Sequence, residues 1–99
     1  MVQKGLLLRL EAKPGKEAEL DNFLKEGLAF VLEEPATISW YALQFGPSTF
    51  GIFDSFPDDQ GRQAHITGAL AQVLIAKIPD LLAVPPSVEK VDILVAKQP

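Results

Sequence analysis

Hydrophobic and polar residues alternate from Leu6 to Lys13, with Leu6, Leu8, Leu10 and Ala12 on one side and Leu7, Arg9, Glu11 and Lys13 on the other. A period of two is that of a half-buried strand. Pro14-Gly15 breaks it, and from Lys16 to Glu34 the period changes: Leu20, Phe23, Leu24, Leu28, Val31 and Leu32 recur at helical spacing. Acidic residues gather near the start of that run, where the helix dipole favours them, so the pattern predicts a long amphipathic helix ended by Pro35.

The segments Thr37 to Phe45 and Thr49 to Phe56 are rich in β-branched and aromatic residues, and Gly46-Pro47-Ser48 between them supplies turn chemistry of hairpin length. Pro57-Asp58-Asp59 then offers a capping aspartate. Ile66, Leu70, Val73 and Leu74 form one stripe of a second helix from about Asp59 to Lys77, which Pro79 closes or extends by a short turn through Leu82. After Val84-Pro85-Pro86-Ser87, alternation returns from Val88 to Ala96, with Val91, Ile93 and Val95 on one face and Lys90, Asp92 and Leu94 on the other.

The order β-α-β-β-α-β is the split βαβ arrangement. It predicts an α+β, ferredoxin-like domain: a four-stranded antiparallel sheet of spatial order 4-1-3-2 with both helices on one face. Residues 1–99 are too few for a second core and are read as a single domain. The helix-free face is expected to carry Leu7 and Leu94 beside Arg9, Lys90 and Asp92, together with one face of the aromatic hairpin. A mixed face of this kind suits sheet-on-sheet pairing, so a homodimer through it is the expected assembly.

Composition narrows the function classes. Hydrophobic residues make up 47% of the chain and charged residues 22%, values of a folded globule. A net charge of −4 without any basic stripe opposes a nucleic-acid partner. No stretch approaches the ~20 apolar residues that span a bilayer, and the start lacks the apolar core of a signal peptide, so a cytoplasmic protein without membrane partners is expected. There is no cysteine and a single histidine, which argues against a zinc or iron site. No glycine-rich phosphate loop or dinucleotide fingerprint is present, and no cofactor is expected.

The runs Trp40-Tyr41-Ala42-Leu43-Gln44-Phe45, Phe50-Gly51-Ile52-Phe53-Asp54-Ser55-Phe56 and Gly61-Arg62-Gln63-Ala64-His65 resemble the antibiotic biosynthesis monooxygenase (ABM) domains. The resemblance covers the element order of nearly the whole chain and is specific from about Thr37 to His65. It implies a dimeric α/β barrel with a pocket between helices and sheet. There, cofactor-free members oxidise a phenol or anthrone to a quinone with molecular oxygen. In quinone-forming and haem-degrading members a tryptophan on the second helix belongs to the site, and by register His65 takes its place. The accompanying asparagine falls near Gly61, and the haem-ligating histidine near Ile75, which cannot bind iron. Haem degradation is therefore not expected.

His65 is the one side chain whose ordinary pKa lies near neutrality, and a base for a phenolic substrate would be drawn from such a group. It sits roughly 100° from the apolar stripe of its helix, on a shoulder with Gly61, Gly68, Ala69, Gln72 and Ala76 that would leave room for a ligand. Asp54 lies in an apolar strand; if it shares a face with Phe50, Ile52 and Phe56 and those pack under the helices, it points into the candidate pocket and could orient His65. Trp40 and Tyr41 point to opposite sheet faces, and either could wall a pocket for a flat aromatic molecule; Phe23, Phe50 and Phe53 are the further candidate walls. The alternative to an oxygenase is a non-catalytic dimer that binds a small hydrophobic molecule or has a structural or regulatory role.

Overall fold

The computed structural model describes residues 2–99. Its elements are β1 (Lys4–Glu11), α1 (Glu17–Val31), β2 (Ser39–Gln44), β3 (Thr49–Phe56), α2 (Asp59–Ile66), α3 (Ala69–Leu81) and β4 (Ser87–Asp92). The sheet has the order β2-β3-β1-β4 and every neighbouring pair is antiparallel, the arrangement of an α+β ferredoxin-like fold.

Register explains the core. Leu6, Leu8 and Leu10 of β1 stand opposite Asp54, Ile52 and Phe50 of β3, and all six side chains are buried on the helix side. Leu20 and Leu24 of α1 and Leu74 and Leu81 of α3 close over them, with Phe56 and Leu10 fully enclosed. The alternation read from Leu6 to Lys13 thus marks the buried face of β1, while the strand itself begins two residues earlier. Its continuation survives as a single bridge between Ala12 and Leu82.

Three expectations need correction. The second helix is two helices: the chain leaves α2 at Thr67, and Gly68 takes an extended conformation (ψ −178°) before α3 starts in a new direction. Pro79 lies inside α3, which runs on to Leu81, where the missing N–H falls in the last turn. The last strand ends at Asp92 because its partner β1 begins at Lys4, directly opposite; Leu94 lies past the ladder and is 96% exposed.

The same register reverses part of the face assignment. Lys90 and Asp92 stand opposite Leu6 and Lys4, on the helix side, and Asp92 pairs with Lys4 at 2.8 Å. The helix-free face instead carries Glu89 and Val91 of β4 beside Leu7 and Arg9, with Tyr41, Leu43 and Phe53 of the hairpin. Arg9 lies over the Phe45 ring, 4.4 Å from its centroid. No helix among the described residues is long and apolar enough to cross a membrane.

Candidate functional site

The local sequence at the start of α2 fixes where His65 goes. Asp58 is extended and its side chain accepts from the Gly61 N–H at 2.8 Å, an N-cap that sets the first turn. Gly61 then packs closely: a Cβ there would lie 3.2 Å from Ala36 Cβ and 3.4 Å from Phe56 Cβ, so even a methyl group would require these neighbours to shift. Arg62 donates to the carbonyls of Gly5 and Val91 at 3.1 and 3.2 Å and so ties the helix to β1 and β4. One turn after Gly61, His65 is therefore pressed into the interior, 8% exposed, with its ring centroid 5.4 Å from that of Phe56.

A carboxylate meets each ring nitrogen. Nδ1 lies 2.6 Å from Glu34 Oε1 in an aligned hydrogen bond, and Glu34 Oε1 also accepts from Thr37 Oγ1 at 2.7 Å. Glu34 is held in the turn after α1, where its other oxygen lies 3.3 Å from the position a Cβ would take on Gly68. The start of α3 thus faces a carboxylate, the charge that a helix N-terminus favours. Nε2 lies 2.8 Å from Asp54 Oδ2, close enough for an ion pair but out of line for a hydrogen bond, so neither Asp54 oxygen has a hydrogen-bond partner.

Burial by itself would push the imidazole down, but the close approach of the Asp54 and Glu34 carboxylates outweighs it and raises His65 to about 9. At neutral pH the ring is an imidazolium with two N–H donors. The Asp54 carboxyl is raised above the ordinary value mainly by its burial, against the opposing pull of His65. The His65 imidazolium lies between the two carboxylates rather than beside them, and among the described residues no three groups converge as metal ligands.

His65 also forms part of the wall of a cleft of about 150 Å³ between α3, β1 and β4. It is the only polar side chain there; Leu6, Ile52, Leu70, Ile75 and Val88 are among the others. A larger hollow of about 460 Å³ lies against the tail at residues 93–98, and His65 does not line it.

Of the residues singled out from the sequence, the fold brings His65 and Asp54 into contact and places Trp40 directly across the ladder from Asp54. Of these, only His65 lines the cleft. Phe50 is enclosed in the core opposite Leu10, and Phe23 borders a separate hollow on the α1–α3 seam. Tyr41 and Phe53 pair with each other on the helix-free face, because their positions on β2 and β3 are out of phase with Trp40 and Asp54. The room expected beside Gly61 is occupied by Ala36 and Phe56, and the break at Thr67-Gly68 moves the cleft to the Leu70 side. Sequence reasoning assigned the orientation of His65 to Asp54; the aligned bond comes from Glu34. The signal for it was the acidic pair Glu33-Glu34 just past a helix C-terminus, an end where the dipole disfavours negative charge.

No family model matches this chain, and no curated protein matches it. Among solved structures, the NE2512 protein of unknown function from Nitrosomonas europaea is 52% identical, with a TM-score of 0.98 over 100% of this chain and 96% of that one. The chain belongs to the NE2512 family. Members of this family share their fold with more distant proteins. A candidate antibiotic biosynthesis monooxygenase from Nitrosomonas europaea superimposes with a TM-score of 0.83 at 16% identity, covering 93% of this chain and 90% of that one. A second, from Chloroflexus aurantiacus, gives 0.76 at 20% identity, covering 97% of each chain. At these identities the likeness is one of fold.

Proposed function

We propose that this chain is a cofactor-independent monooxygenase of the ABM type that oxidises a small, single-ring phenol or hydroquinone with molecular oxygen. The observation that carries this reading is His65, the sole polar side chain on the wall of an apolar cleft, with its ring fixed at Nδ1 by Glu34. The cleft volume of about 150 Å³ suits one aromatic ring.

A phenol must shed its hydroxyl proton before its ring is electron-rich enough to give an electron to oxygen. A carboxylate on Nδ1 is the arrangement that orients a histidine base and leaves Nε2 to exchange protons. Nε2 at rest faces Asp54, so the base forms when its proton passes to Asp54, whose carboxyl burial already favours the protonated form. The out-of-line Nε2 contact is the one that opens, since the Glu34 bond is aligned. The phenolate then reduces oxygen by one electron, the two radicals join at a ring carbon, and loss of water leaves the quinone: one phenol and one O₂ give one quinone and one H₂O.

The same reading includes a homodimer. Tyr41 is 54% exposed on the helix-free face and Phe45 is 49% exposed at its edge, alongside the partly buried Leu7, Leu43 and Phe53. A second copy of that sheet is the self-complementary surface that would cover them.

Oxygen uptake and quinone absorbance with a panel of single-ring phenols test the proposal. Wild type is expected to turn over, His65→Ala to lose about a hundredfold or more, and Glu34→Gln to lose less. Equal rates in wild type and His65→Ala would remove His65 from the chemistry. A non-catalytic small-molecule binder is the second reading, favoured by the imidazolium having no free lone pair at neutral pH. Thermal stabilisation by phenols with no oxygen uptake would select it.

A further inference from the structure

Two side chains that line the His65 cleft differ from the rest of its wall. Leu6, Leu8, Ile52, Leu70, Leu74 and His65 are buried, whereas Ile75 is 63% and Val88 is 55% exposed. The buried set forms the inner wall, and the exposed pair stands where the cleft opens to solvent.

The fold brings that pair to the opening from two sides. Leu70 and Leu74 face the core from α3, and Ala71 and Ile75 follow them about 100° further round the helix, still in the cleft wall. Val88 stands opposite Leu8 on the helix side of β4. Because β4 is an edge strand, Val88 has a neighbouring strand on one side only. Pro86, which leads into β4 and also lines the cleft, has its φ fixed by its ring and stiffens that rim. We infer that Ile75 and Val88 gate the cleft: together they set the width of the molecule that reaches His65 and confine it to a single aromatic ring. The choice of phenols as ligands rests on the oxygenase reading, but passage through the mouth needs no turnover. A fused second ring must push one or both side chains aside, and an apolar pocket discriminates about tenfold or more for each methylene that does not fit. Ile75 is on a helix and Val88 on the helix side of the sheet, so pairing of two copies through the helix-free face leaves the mouth uncovered.

His65 is the only histidine, so its isolated imidazole proton signal reports which molecules reach the inner wall. Titration with phenol is expected to move that signal saturably, and naphthol is expected to do so about tenfold more weakly. Ile75→Ala and Val88→Ala should each strengthen naphthol about tenfold while changing phenol by less than about threefold. Ile75→Trp fills the mouth instead and should weaken phenol about tenfold. Both positions are exposed, so the unfolding midpoints of these variants should match wild type.

Naphthol binding wild type as tightly as phenol overturns the gate, as does a His65 signal that phenol does not move. Alanine variants that change both ligands equally overturn it too. A change in molecular mass on Ile75→Ala or Val88→Ala assigns the pair to a contact between copies and has the same consequence. Oxygen uptake separates the two proposals. Turnover with one unaltered preference in wild type and alanine variants removes the gate and keeps the oxygenase; altered binding preference without turnover does the reverse.

Discussion

The charge state of His65 is open to direct measurement, because the chain has one histidine and its imidazole gives one isolated proton signal. Held at about 9 by Asp54 and Glu34 against the opposing effect of burial, it departs from the ordinary 6.5 by an amount worth about 3 kcal/mol in favour of the folded imidazolium. Because the folded value is the higher one, this stability is fully present below pH 6.5 and is lost as pH rises toward 9. Unfolding by urea, followed through Trp40 emission, should therefore show about 3 kcal/mol less stability at pH 9.5 than at pH 6. Asp54, also raised, acts in the same direction from lower pH and does not oppose the trend. Glu34→Gln removes one of the two carboxylates while keeping the side-chain shape. It is expected to bring the His65 midpoint down by at least one pH unit and to flatten the pH dependence of stability. A wild-type midpoint near 6.5, or a midpoint indifferent to Glu34→Gln, would refute the description of His65 as an imidazolium clamped between carboxylates.

Other substitutions probe the frame that holds the cluster. Gly61→Leu places a side chain against Ala36 and Phe56 and should cost about 1–3 kcal/mol in urea unfolding while shifting the His65 signal, since α2 must move outward. Phe56→Ala empties a fully enclosed core position and should cost about 3–5 kcal/mol; a loss under 1 kcal/mol would contradict the packing described. Tyr41→Asp changes an exposed side chain on the helix-free face, so it should leave the circular dichroism and unfolding midpoint of the protomer intact while converting the proposed homodimer to monomer by light scattering. An unchanged mass would argue against pairing through that face.

The fold was legible because its information is local and periodic. The alternation of Leu6, Leu8 and Leu10, the helical spacing of Leu20 and Leu24, and the turn residues at Gly46-Pro47-Ser48 each specify one element, and the order of elements constrains the sheet. What failed depended on partners. The end of β4 is set by where β1 begins, a fact about the ladder that the hydrophobic residues Ile93 and Val95 do not report. Likewise the helix break at Thr67-Gly68 interrupts an apolar stripe, Ile66 to Leu70, that spans it without a change of period.

The site was half legible for the same reason. His65 could be singled out as the one histidine and Asp54 as a carboxylate in an apolar strand, and the sheet register together with the α2 N-cap then forces them together. Glu34 could not be found that way. It is 31 residues from His65 in sequence, sits in an irregular turn, and reaches the imidazole only because Gly61 lets α2 approach Ala36 closely. That dependence gives Gly61 a part in setting the charge state of His65 without any polar atom: it is the residue that allows α2 to seat His65 against a carboxylate. A larger side chain at Gly61 would therefore disturb the charge state of His65 before it disturbed the fold, which is why the Gly61→Leu experiment reads the imidazole signal as well as the unfolding curve.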